Sequence, residues 1–258
     1  IVHHADVRRM LMLMRSQIEA MRAVAYTAAA QVDLSYHAGD NEARAAAESR
    51  LSLLTPIVKG WCTEKSEEVT SLGIQIHGGM GYVEETGAAQ HYRDARILAI
   101  YEGTNGIQAA DLAGRKVLGD EGREIRRLIG ELRELCAGMQ DNDSLAPIAA
   151  AVGTGVDQLE QGIDWLVANA MSDPHGVGAA SFNLLMLAGT VLGGAYLAKG
   201  AAAAVSDGSG TDPEFAKHKV ATTAFYCAHV LPRAQGYLAA MTADPAITMA
   251  LPAEAFLD

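Results

Sequence analysis

The chain has 258 residues, half of them hydrophobic, and carries a net charge of −11. That is enough apolar material for one large domain or two small ones. An acidic balance with no segregated basic run argues against a nucleic-acid-binding surface. Cys62, Cys136 and Cys227 are far apart in sequence, which suggests neither a CxxC metal knuckle nor a disulfide framework. Reduced thiols in a cytoplasmic protein are the expectation. Few aromatics and abundant alanine and leucine favour helix over sheet.

Val7, Leu11, Met14, Ile18, Met21, Ala25 and Ala28 recur at helical spacing, with Arg8, Arg15, Glu19 and Arg22 on the other face. This predicts a long amphipathic helix to about His37, that stripe buried, closed by Gly39. Asp40 or Asn41 caps the next helix. Thr55-Pro56 reads as a fresh N-cap followed by proline at the first helical position. The helix beyond it carries Val58, Trp61, Lys65, Val69, Leu72 and Ile76, with Trp61, Val69 and Ile76 inward. Gly78-Gly79-Met80-Gly81-Tyr82 breaks the pattern. A short segment from His91 to Ile100 leads to Glu102, and a helix from about Asn105 to Val117 follows.

Gly119-Asp120 reads as a hinge. Helices are then expected around Ile125 to Met139 and Val152 to Leu166. Gly176 to Ala198 has no formal charge and is long enough to cross a bilayer, but it lacks aromatic or basic anchors and contains Ser181, Asn183 and Thr190. It reads as a buried helix rather than a membrane span, with Gly189 and Gly193 allowing a close helix approach. A linker, Ser206 to Thr211, precedes a last helix that starts at Asp212-Pro213 and carries Phe215, Val220, Phe225 and Leu231. No strand alternation is present. The fold class is all-α, an antiparallel helical bundle followed by a second helical segment, divided as 1–119 and 120–258.

Most polar motifs have a plain reading. His3-His4 with Asp6 are neighbours without an HxxxH or CxxC partner, so no metal site is assigned. Gly153-Thr154-Gly155 has no preceding strand and no third glycine. Glu67-Glu68 and Glu84-Glu85 read as solvated faces. The stretch from Ser71 to Lys116 differs, because it holds Gln75-Ile76-His77-Gly78-Gly79-Met80-Gly81-Tyr82 and, in order after it, Arg93-Asp94-Ala95-Arg96 running into Tyr101-Glu102-Gly103-Thr104.

Those two elements together resemble the C-terminal helical domain of acyl-CoA dehydrogenases, the flavin enzymes that desaturate acyl-CoA thioesters. His4 to Leu11 resembles the usual opening of that domain's first helix. The resemblance implies a four-helix bundle over 1–119 and FAD as cofactor. It places Glu102 as the base that takes the thioester α-proton while a hydride leaves the β-carbon for the flavin. Gln75, Ile76, His77, Gly78 and Gly79 match a contact to the adenine end of FAD held by a neighbouring subunit. Thr104, Asn105 and Gly106 match a second flavin contact; Gly106 stands where some relatives have glutamine. His4 and Ala5 fall at a weaker contact position. Residues 120–258 resemble the extra helical domain of a longer subgroup, which includes dehydrogenases acting on 3-methylmercaptopropionyl-CoA, and are expected to serve packing or oligomer contact.

The implied partners are an acyl-CoA substrate, electron-transfer flavoprotein or a similar acceptor, and further copies in a homo-oligomer. The chain opens on Ile1-Val2-His3-His4, with no initiator methionine. It therefore reads as the C-terminal part of a longer enzyme, inactive by itself. The chemistry suits the local sequence: the base needs a dry site, and the apolar approach Ile97 to Tyr101 is expected to provide one. Two other readings stand beside this one. A non-catalytic helical interaction module would keep the bundle without the chemistry, and a DNA-protection relative is disfavoured by the net charge.

Overall fold

The computed structural model describes residues 1–170, 175–206 and 208–257. All regular structure among the described residues is helical. The first two helices, α1 (Ala5–His37) and α2 (Asn41–His77), form a long antiparallel pair. Met14 lies beside Gly73 near one end of it, and the Cys62 thiol reaches the Met21 carbonyl further along. Asp40 caps α2, its carboxylate accepting from the Ala43 N–H at 2.7 Å. Short helix α3 (Gly79–Tyr82), a 3₁₀ turn at Glu84–Thr86 and α4 (Ala88–Leu98) fold back along α2. Next come α5 (Asn105–Ala110), a π-helical segment (Asp111–Val117) and a 3₁₀ turn (Leu118–Asp120).

The chain turns through left-handed Glu121 and Gly122 into α6 (Arg123–Ala137), whose first amides bond the Asp120 carboxylate. It continues as α7 (Ala146–Asn169), α8 (Gly176–Val205), α9 (Pro213–His229), α10 (Arg233–Met241) and the short α11 (Pro245–Thr248). α8 packs on α1, α2 and α5 and also on α7, α9 and α10. One apolar cluster accordingly runs from Leu13 to Met241. Although α8 is long and apolar enough to cross a membrane, most of it is covered by the rest of the fold.

Glycine makes this burial possible. The Gly189 position lies directly against the Trp61 side chain, and a Cβ at Gly193 would sit 2.7 Å from the Tyr226 hydroxyl and 2.8 Å from the Trp61 ring. The expected close approach at these two glycines is therefore an approach to a large aromatic ring. Tyr226, fully buried, donates its hydroxyl to the Thr190 carbonyl at 3.0 Å.

Several expectations are corrected. Thr55-Pro56 does not start a helix: Pro56 lies inside α2 on its buried face, with Leu53, Leu54, Ile57 and Trp61. This packing holds α2 through the loss of one backbone hydrogen bond, and the Thr55 hydroxyl turns back to the Leu51 carbonyl instead. The α1 stripe is also rotated. Its buried seam is Met10, Leu13, Gln17, Ala20, Val24 and Ala28, while Leu11 is 37% exposed. The seam needs small residues where α8 crosses: a Cβ at Gly193 would lie 3.2 Å from that of Ala20. Ile76 is half-buried rather than inward. The last predicted helix ends at His229, and α10 begins after Leu231-Pro232. In the linker, Asp207 lies outside the described residues.

Glu67-Glu68 is not a solvated face. Glu68 takes both guanidinium nitrogens of Arg233 at 2.7 and 2.8 Å, and Glu67 pairs with Arg96 at 3.1 Å. Burial alone would raise the Glu68 pKa, but the hydrogen bonds and charges of Arg233 and Lys65 outweigh it and hold the carboxyl below its ordinary range. A depressed carboxyl pKa contributes stability above the unfolded value, and that stability is lost as pH falls through the folded one. Arg233→Met is therefore expected to cost about 1–2 kcal/mol at pH 7 and far less at pH 3, read by denaturant unfolding. Gly189→Ala is expected to cost about 1–3 kcal/mol by overpacking against Trp61. Gly178→Ala, on the same helix but with open space around it, should leave the thermal midpoint nearly unchanged.

Candidate active site

Glu102 stands on the loop between α4 and α5. Its backbone is left-handed, with φ 54°, and Gly103 follows at φ 85°. A non-glycine residue held in this region costs about 1–3 kcal/mol and persists only where its surroundings enforce it. Three contacts do so. The Asn105 N–H donates to the Ala99 carbonyl at 3.1 Å and closes the loop at its base. Thr104 caps α5, its hydroxyl accepting from the Ile107 N–H at 3.3 Å. The Gln108 side chain reaches the Glu102 carbonyl at 3.5 Å.

The loop presents the Glu102 side chain outward. Ile97, Ile100, Tyr101 and Ile107 around it are exposed as well. The apolar approach expected to make a dry site is thus an open apolar rim on this chain, and it becomes dry only when something covers it. Gly103 is required by its backbone, because a side chain there would be strained and would press on Gln108 at 3.2 Å.

Asn105 points the other way. It is 4% exposed, and its amide lies against the middle of α2. The Lys59 ammonium donates to Oδ1 at 2.9 Å, while Nδ2 donates to the Glu64 carboxylate at 2.8 Å and to the Thr63 hydroxyl at 2.9 Å. A cation can only donate and a carboxylate can only accept, so the two neighbours fix which end of the amide is which. Lys59 also feels Glu102: burial lowers the ammonium pKa, and the charges of Glu102 and Glu64 oppose that. Sequence reading missed Lys59, Thr63 and Glu64. Their only mark in the chain was polar residues gathered on one turn of a helix otherwise set by Trp61.

The remaining residues singled out in the sequence gather elsewhere. Gln75, His77, Gly78 and Gly79 are exposed at the C-terminal end of α2, with Ile76 half-buried. Gly78 has φ 61°, and nothing crowds Gly79. The His77 ring bonds the Gly73 carbonyl at 2.7 Å. Beside it lies a cleft of about 330 Å³ lined by Met14, Val69, Gly73, His77, Thr86 and His91 among others. His4 and Ala5, at the start of α1, are exposed at the same end of the antiparallel pair. From Thr63, which holds the Glu102 loop, to Gly78 is fifteen residues of α2, about 20 Å along its axis. The structure therefore keeps Glu102, Thr104 and Gly106 apart from Gln75 to Gly79. The cysteines are free, and burial pushes the Cys62 thiol up to about 12.

Known proteins share this arrangement of sequence and fold. The family described as "Acyl-CoA dehydrogenase, C-terminal domain" matches residues 1–117, and "Acetyl-CoA dehydrogenase C-terminal like" matches residues 128–252. The chain belongs to the acyl-CoA dehydrogenase family, whose C-terminal helical region it represents. The 3-methylmercaptopropionyl-CoA dehydrogenase of Ruegeria pomeroyi is 46% identical over 233 residues, covering 90% of this chain and 40% of that protein. A butyryl-CoA dehydrogenase of Syntrophomonas wolfei is 30% identical over the whole of this chain and 43% of its own length. The chain thus spans about two fifths of the curated relatives it matches. In fold it is similar to an acyl-CoA dehydrogenase of Bacillus anthracis solved with FAD, with a TM-score of 0.72, 19% identity, and coverage of 93% of this chain and 42% of that one.

Thr104→Ala removes the α5 cap and should cost about 1 kcal/mol, while Thr104→Ser should keep most of it. Thermal unfolding and amide exchange at Ile107 and Gln108 would report both.

Proposed function

We propose that this chain is the C-terminal helical part of an FAD-dependent acyl-CoA dehydrogenase in which Glu102 removes the α-proton of an acyl-CoA thioester. The observation that carries this reading is the left-handed backbone at Glu102, held outward on a closed loop among exposed apolar side chains. Strain of this kind persists where the surrounding structure enforces it, and here it serves to present one carboxylate. Among the described residues the other such position is Glu121, which simply ends a 3₁₀ turn.

In this reading Glu102 accepts the proton, and the loop fixes its reach. Ile97, Ile100, Tyr101 and Ile107 exclude water once the thioester and the rest of the protein lie over them, which strengthens the carboxylate as a base. Bound FAD supplies the two-electron sink for the hydride that leaves the β-carbon. The end of α2 fits a role in holding it: the uncrowded Gly79, positive-φ Gly78, and a cleft lined by apolar Met14, Val69 and Ala88 together with His77, His91 and Thr86 suit a flat aromatic group. The separation of about 20 Å from the Glu102 loop supports the family's arrangement, in which that end serves a flavin held by a neighbouring copy. Residues 120–258 then act as the brace that holds α1, α2 and α5 in place.

Glu102→Gln in the full-length protein is expected to lower acyl-CoA desaturation by about 10²–10⁴-fold with flavin still bound, measured by dye reduction and flavin absorbance. Near-normal turnover would remove Glu102 from this role.

A further inference from the structure

Asn105 matched a flavin contact by resemblance, yet every polar atom of its side chain is turned to α2 and engaged there. Its main-chain N–H is also used, on the Ala99 carbonyl. Three residues before it the backbone is left-handed, and the intervening Gly103 and Thr104 leave little freedom between the two positions. The amide is gripped from opposite sides by a cation and a carboxylate that are five residues apart on the same helix, Lys59 and Glu64. Both ends are charge-assisted hydrogen bonds, the stronger kind. Thr63, on the same turn, donates its own hydroxyl to the Lys59 carbonyl at 2.7 Å and so stands as an acceptor for the amide.

We propose that Asn105 is the positioning residue for Glu102: an amide locked between Lys59 and Glu64 that transmits the rigidity of α2 to the loop carrying the base. This rests on the reading of Glu102 as that base. α2 is anchored in the core next to the site, since Trp61, between Lys59 and Thr63, is fully buried against α8. The polarity of the grip matters as much as its presence. Asn105→Asp would set two carboxylates face to face at Glu64, and Asn105→Leu would keep the volume while leaving Lys59 and Glu64 unpaired. Ile100 to Thr104 lie exposed, and the loop's other buried side chain, Ala99, is a methyl group that can make no polar tie to α2.

The test uses the full-length, FAD-loaded protein with Asn105→Ala, Asn105→Leu and Lys59→Met, the last being a milder change that removes one end of the grip. Two readouts are taken: hydrogen exchange of the peptide spanning residues 99–108, and steady-state kinetics with an acyl-CoA. The expected result is faster exchange in that peptide alone, with peptides from α8 unchanged. The kinetic counterpart is a fall in kcat of at least about tenfold with KM within about twofold, as misplacement of a reacting group predicts. The double variant Lys59→Glu/Glu64→Lys reverses the field, and an amide can answer by flipping. Protection of the peptide should therefore return in the double variant relative to Lys59→Glu alone. Unchanged exchange in Asn105→Ala, or loss of flavin with kcat per bound flavin intact, would overturn the proposal. Should Glu102→Gln prove active, the base reading fails, and the exchange data still decide whether Asn105 anchors the loop.

Discussion

The fit of one indole against a glycine-lined helix governs the rest of this molecule. Trp61 projects from the middle of α2 into the space that side chains at Gly189 and Gly193 would otherwise fill. A close-packed interior tolerates few voids and little overlap, so the position of α8 relative to α2 is set by that ring. The same crossing requires a small residue on α1, which explains Ala20 in the seam. Because the residues on either side of Trp61 hold Asn105, the loop with Glu102 inherits its position from a contact deep in the core. Packing and candidate chemistry meet within one turn of α2.

Charge then fixes what apolar packing leaves free. Arg50 reaches Glu124 at 2.6 Å and grips Glu131 with two nitrogens, tying α2 to α6. Arg233 grips Glu68 and ties α2 to α10, while Lys219 meets Glu19 at 2.8 Å and ties α9 to α1. Each pair joins a helix before residue 120 to one after it. Arg50–Glu124 is buried and the other pairs are partly exposed, so desolvation or solvent screening offsets much of their attraction, and they contribute less to net stability than to orientation. Their geometry makes the second helical set a brace with defined angles.

Helix periodicity in the sequence was enough for the class of fold and for the existence of the long helices, because helices are local objects with local signals. Asp40, Thr104 and Asp212 cap where short polar side chains before apolar runs should. The misreadings share one cause, which is tertiary contact. Pro56 looks like a start until it is seen buried in mid-helix beside Leu53, Leu54 and Ile57. Leu11 looks more buried than Ala20 until a crossing helix makes size, rather than hydrophobicity, the criterion. Glu68 looks solvated until Arg233, 165 residues away, is folded onto it. The site shows the same division. Glu102 and its glycine stood out in the chain, whereas the Lys59, Thr63 and Glu64 cradle lies more than forty residues from Asn105, and its cluster of polar residues on one helix turn does not say what it holds.

The π-helical stretch at Asp111–Val117 bears on how this region can vary. A π turn amounts to one extra residue in a helix, and each α-helical residue turns about 100°. Its effect is angular: it sets the azimuth of α5 against that of the chain entering α6. With it, Asn105 and Ala109 face inward at one end while Ala113 and Val117 face inward at the other. Deleting a single residue there would heal the helix yet twist Asn105 about a quarter-turn away from α2. A gap in an otherwise alignable sequence at this point would thus count as a rotation of the Glu102 loop, even where every residue of the motif is retained.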